Sequence, residues 1–244
     1  MKLLPRRALA LAGKELYSYS YSPAFYGIAV FFLVFCSVWF YFVRNFFVMD
    51  STSLRPFFSA FPLAFILVIP VITMKSWAEE RKLGSIELLL TMPFSEWDLV
   101  LGKFLSSLGI LLALLLLTIP VPLSLLPLGN FEAGLIIAEY AGALLLGSSA
   151  IALGLLLSSL SKNQAGAFLG SAVVLLLVMM IHQISFTFNL PVWLNELVNF
   201  ISLAFHFESF SKGLIDSRDA AFFILSAALF LFLNTQVLIF RKWS

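Results

Sequence analysis

The side chains able to do chemistry are few and scattered, so their spacing decides what is open to the chain. Met179, Met180 and His182 bring thioether and imidazole donors close together, a set that suits copper. Adjacent methionines point to different faces of a helix, and the other histidine, His206, is far away in sequence, so packing is the favoured role and no metal site is expected. Glu132 and Glu139 are seven residues apart and share one helical face at the start of an apolar run. They fit either a polar lining or the favourable placement of acids near a helix amino end. Asn195, Asn199, Ser202, His206 and Ser209 recur at helical spacing, with Leu194, Leu197, Ile201 and Phe205 on a separate stripe, which predicts one amphipathic helix.

Catalytic constellations are missing. A nucleotide-binding loop needs G-x-x-x-x-G-K-[ST], because its backbone amides wrap the phosphates and its hydroxyl binds magnesium. Gly13-Lys14 and Gly102-Lys103 lack the upstream glycine and are followed by Glu15 and Phe104. There is no H-E-x-x-H and no acidic pair at the centre of an apolar run. No catalytic residue is expected, and ATP would have to be handled by another chain.

The elements that carry these residues follow from composition. The chain has 244 residues, 61% hydrophobic and 11% charged, against about 45–50% and 25% in a soluble domain. Six intervals of 19 to 33 residues contain no Asp, Glu, Lys or Arg, and about 20 apolar residues cross a bilayer core. An all-α polytopic membrane protein is predicted, a single transmembrane unit over 1–244. Its spans are placed at Ala24–Val43, Phe57–Trp77, Leu99–Leu126, Gly134–Leu157, Ala165–Ile184 and Ala220–Ile239. Residues 1–23, with Arg6, Arg7, Lys14 and then Tyr17, Tyr19 and Tyr21, suit an interfacial elbow helix.

An even number of spans puts both termini on one side, which receives eleven basic residues against four on the other. The positive-inside rule predicts cytoplasmic termini. The lone Cys36 says nothing about redox compartment, and the net charge of +2 gives no sign of nucleic-acid binding.

The most charged segment joins the second and third spans. Trp77-Ala78-Glu79-Glu80-Arg81-Lys82 breaks at Leu83-Gly84. Ser85 can cap a new short helix, Ile86-Glu87-Leu88-Leu89-Leu90, which Pro93 stops. Ile86, Leu89 and Leu90 make one apolar face, which needs lipid or a partner's groove to cover it. Pro120, Pro122 and Pro127 predict a kink or an end in the third span, and Pro62 and Pro70 invite the same reading in the second.

Here the sequence resembles the permease subunits of type-two ATP-binding-cassette (ABC-2) transporters, in particular the gliding-motility and nitrous-oxide-maturation permeases. The resemblance lies in Ile69 to Lys75, Glu79 to Pro93, Leu101-Gly102-Lys103, and a second block from Ser158 to Gln164. Lys75 and Met92 stand where the gliding-type pattern carries arginine. The resemblance implies a permease half in the bacterial inner membrane, paired with a second permease subunit that is either an identical copy or a paralogue with an extracytoplasmic domain. Two cytoplasmic ATPase subunits would power the pair, binding ATP and magnesium themselves. It further implies that Gly84, Ser85, Ile86, Glu87, Leu88, Leu89 and Leu90 form the coupling helix on the ATPase, approached through Glu79, Glu80, Arg81 and Lys82. Short extracytoplasmic helices between the last two spans would line the exit, making Asn199 and His206, with Glu132 and Glu139, candidate pathway or gate residues. The competing classes are an ion-coupled secondary transporter, which needs polar groups near the midplane, and an intramembrane enzyme, which needs a convergent catalytic set.

Overall fold

Helix starts are set by local chemistry that the sequence carries openly. In the computed structural model, which describes residues 4–44, 54–84, 94–125, 132–187 and 191–242, an amino-terminal helix runs Leu4–Ser20. Ser22 then caps the next helix by accepting from the Ala24 amide at 3.3 Å, with Pro23 at its first position. The third span opens on a reciprocal capping box. The Asp98 amide donates to the Ser95 hydroxyl at 3.2 Å, and the Ser95 amide donates to the Asp98 carboxylate at 3.1 Å.

Six helices are long and apolar enough to cross a membrane: Pro23–Val43, Arg55–Lys82, Glu96–Leu125, Ala133–Leu160, Gln164–Gln183 and Ser217–Arg241. No strand occurs among the described residues, so the fold is the all-α, six-span arrangement expected. The first span ends in a π-helical turn, Trp39–Val43. The second passes through the buried Pro70 without a break. The third stops at Thr118 and resumes as Pro120–Leu125, the interruption that a proline imposes on a helix. The Thr118 hydroxyl, at this break, hydrogen-bonds the Tyr140 hydroxyl of the fourth span at 3.0 Å.

The fourth span is the axis of the bundle, in contact with the second, third, fifth and sixth. Its position depends on small residues, because helix association in lipid rests on close backbone approach rather than on water exclusion. A Cβ on Gly147 would meet Leu111 Cδ2 at 2.3 Å, one on Gly154 would meet Thr73 Oγ1 at 2.5 Å, and one on Gly142 would meet Phe210 Cβ at 2.5 Å. Where the first, second and fourth spans meet, aromatic rings fill the volume. Phe32 and Phe61 lie 5.5 Å apart, Phe57 and Phe61 5.4 Å, and Phe58 and Tyr140 4.9 Å, mostly edge to face. Two-thirds of the apolar window is buried in the second and fourth spans, against 28% in the first and fifth.

Between the fifth and sixth spans lie two short helices, Val192–Ile201 and Leu203–Ser211. The single amphipathic helix read from the stripe is therefore divided. Ser202 adopts an extended backbone (φ −74°, ψ 118°) and its hydroxyl accepts from the Phe205 amide, capping the second helix. The short hydroxyl of Ser202 favours such a cap over a helix interior.

Gly154→Val should lower the midpoint of thermal unfolding in detergent, with a destabilisation of about 1–3 kcal/mol from overpacking against Thr73. Gly134→Ala, where an added Cβ meets nothing within 4 Å, should leave that midpoint unchanged or slightly raised.

Candidate functional site

The last turn of the second span and the first turns of the third carry charges that the fold draws together. Lys103 is 1% exposed, and an ammonium so buried needs paired anions. It donates to Glu80 Oε1 at 2.7 Å and to Glu15 Oε1 at 2.8 Å, joining the second span, the third span and the amino-terminal helix. The Trp77 ring lies 4.7 Å from the same nitrogen, a cation–π contact in a desolvated setting. The amino-terminal helix can come this close because Gly102 has no side chain: an added Cβ would sit 2.7 Å from Leu11 Cδ2.

The end of the fourth span is tied to the same place. The Arg81 guanidinium donates to the backbone carbonyls of Ser159 and Ser161, which terminate that helix. The Ser158 hydroxyl accepts from the Trp77 amide at 3.3 Å and the Ala78 amide at 3.4 Å. Arg241, at the end of the sixth span, donates to the Leu160 carbonyl at 3.5 Å. The two sequence blocks singled out above, around 69–103 and 158–164, are thus in direct contact.

Beside this cluster the amino-terminal helix and the second and third spans enclose a cavity of about 440 Å³. Three lysines, Lys14, Lys75 and Lys103, and three glutamates, Glu15, Glu79 and Glu80, line it, with hydroxyls from Ser18, Tyr19, Ser22, Ser76, Ser106 and Ser107. Tyr19 crosses one wall and donates to the Val71 carbonyl at 3.1 Å. Burial first, and then the Glu79 carboxylate, raise the Tyr19 hydroxyl's pKa above its ordinary value, so it stays a donor.

Of the residues assigned to the connection, Glu79, Glu80 and Arg81 are half-buried and Lys82 is exposed. Gly84 has φ 69°, a left-handed conformation suited to glycine that ends the helix just beyond Lys82. Ser85, Ile86, Glu87, Leu88, Leu89 and Leu90 lie outside the described residues. Glu80 and Arg81 therefore have partners within the chain, and the segment from Gly84 onward departs from a stem tied to the amino-terminal helix and to the third and fourth spans.

The candidate gate residues separate. Glu132 is exposed at the start of the fourth span, while Glu139 is fully buried two turns in. Neither Glu139 oxygen has a hydrogen-bond partner among the described residues. Asn199 and His206 line another cavity, of about 790 Å³, with Trp193, Phe205 and Asp219. His206 Nδ1 lies 2.7 Å from Asp219 Oδ1, Nε2 lies 3.1 Å from the Phe200 carbonyl, and the ring stacks 3.8 Å from Phe222. Neither Glu132 nor Glu139 lines that cavity. His182 lies within 3.1 Å of the Met179 carbonyl, the Ser202 hydroxyl and the Gln183 amide.

Sequence reasoning missed Glu15, Lys103 and Asp219 as paired groups. For Lys103 a signal was present: it is a cation carried into an apolar span with no acid three or four residues away on its own helix.

Comparison with known proteins agrees with this architecture. Residues 9–241 match the family described as ABC-2 family transporter protein. The probable multidrug ABC transporter permease YbhR of Escherichia coli strain K12, and the protein of the same description from Escherichia coli O157:H7, are each 30% identical over 154 residues. The match covers 63% of this chain and 41% of each relative's length. A match to the family over nearly the whole chain, on a six-span helical bundle, establishes that the chain belongs to the ABC-2 family of transporter proteins.

Proposed function

We propose that this permease subunit is one half of the membrane part of an ATP-driven transporter of the bacterial inner membrane, with both termini in the cytoplasm. It pairs with a second permease subunit, an identical copy or a paralogue with an outer domain, and with two cytoplasmic ATPase subunits that bind ATP and magnesium. Residues Gly84 to Leu90 are the coupling helix, and the apolar face of Ile86, Leu89 and Leu90 seats in a groove of the ATPase.

The observation that best supports this reading is the tie made by Lys103. A push on the connection between the second and third spans is delivered to a stem whose two sides are pinned through Glu80 and Lys103, with Glu15 attaching the amino-terminal helix and Arg81 attaching the end of the fourth span. A short external force is thereby spread over four helices. The exposed Lys82 remains available at the root of the segment. The pairs Glu132 and Glu139, and Asn199 and His206, belong to the opposite end of the bundle, where they would border the exit of the pathway.

Co-purification with a candidate cytoplasmic ABC ATPase subunit tests the assignment. Glu87→Lys and Leu89→Asp should each weaken retention of the ATPase at least about tenfold, the loss expected when a charge is reversed or inserted at an apolar contact, while membrane insertion is unchanged. Full retention in both variants would remove the coupling-helix assignment. A second expectation concerns the tie itself. Lys103→Met leaves two carboxylates without their shared cation and should destabilise the detergent-solubilised protein by about 3 kcal/mol. Hydrogen exchange across residues 4–20 should rise together with that loss, and unchanged exchange there would mean that the amino-terminal helix does not depend on Lys103.

A further inference from the structure

Two half-buried charges in the second span form no ion pair with the other described residues. Lys75 and Glu79 are one turn apart, about 6 Å along the helix axis, and both line the cavity of about 440 Å³ beside the amino-terminal helix. The ion pairs among the described residues include neither of them, with each other or with a third group. The Lys75 ammonium instead rests 6.0 Å from the centre of the Tyr19 ring. Opposite charges at this spacing ordinarily attract on a helix surface, and a half-buried charge without a partner is costly. Both facing one cavity, they fit a single ligand that carries an anion and an ammonium a short bridge apart.

We propose that this cavity binds the headgroup of an ethanolamine phospholipid, with the phosphate on Lys75 and the ammonium on Glu79. Lys14, on the amino-terminal helix, lines the same cavity, and the Ser18, Ser22 and Ser76 hydroxyls supply further hydrogen bonds. The cavity's lysines and glutamates balance, which favours a zwitterion over a purely anionic lipid. A primary ammonium can donate hydrogen bonds to Glu79, whereas choline's quaternary ammonium has none to donate. The bilayer is the source indicated, because Tyr17 on the amino-terminal helix, Tyr21 in the turn after it and Tyr26 at the start of the first span are each more than 60% exposed, the placement that tyrosines take at a membrane boundary. This inference does not rest on the pairing with an ATPase.

Native mass spectrometry of the full-length protein, delipidated and then offered lipids in competition, tests it. One phosphatidylethanolamine should be retained about tenfold more than phosphatidylglycerol or phosphatidylcholine, the preference expected from one additional charge-assisted hydrogen bond in a half-buried site. Lys75→Met and Glu79→Gln should each remove that preference while the helical circular dichroism is kept. Equal retention of the three lipids by the unmodified protein would overturn the proposal, independently of whether the variants fold. Soluble phosphoethanolamine that competes as well as the lipid, molecule for molecule, would overturn the bilayer as the source.

Discussion

One ammonium group organises the end of the bundle that carries both termini. Lys103 is 1% exposed, so the fold must bring carboxylates to it, and it takes one from the preceding span and one from the amino-terminal helix. An ion pair of this kind is weak evidence of net stability, since the desolvation of its members offsets much of their attraction. Its value lies in specificity: an amino-terminal helix with an apolar and a basic face could lie anywhere along the bundle, and Glu15 permits one register. The close approach at Gly102 and the Tyr19 hydrogen bond to the second span then follow from that register.

The remainder of the bundle obeys a different constraint. In hydrocarbon, backbone groups have to be satisfied within the helices or against neighbouring protein, so irregular chain survives only where it is covered. The interruption at Ile119–Pro120 is bordered by Thr118 and Tyr140. Gly142, Gly147 and Gly154 of the fourth span lie against the second and third spans and the Leu203–Ser211 helix. This explains why the fourth span, with no strongly apolar face of its own, occupies the centre: it is distinguished by small volume, not by hydrophobicity.

How much of this was legible in the sequence depended on the range over which the signal acts. The spans were, because intervals free of charge are counted locally and the bilayer fixes the length they must reach. The helix end at Lys82 was readable from Leu83-Gly84, and the break in the third span from Pro120. The division at Ser202 was not, because the polar stripe keeps helical spacing straight through it and only the serine's capping ability marks the break. The pairing of Lys103 was hidden for another reason: its two partners lie 23 and 88 residues away, and nothing local distinguishes Glu80 from Glu79 or Glu15 from a solvated acid. The short helix inferred at 85–90 rests on the sequence and the resemblance, since those residues lie outside the described ones.

The 88-residue separation between Glu15 and Lys103 also sets an order of events at the ribosome. At about 5–20 residues per second, roughly 4–18 s pass after Glu15 is synthesised before its partner exists. During that interval the amino-terminal helix lacks the ammonium that fixes its register, which arrives with the third hydrophobic stretch. The amino-terminal helix can therefore take its final register only after the second span and the start of the third, which follow it in the chain, have been made.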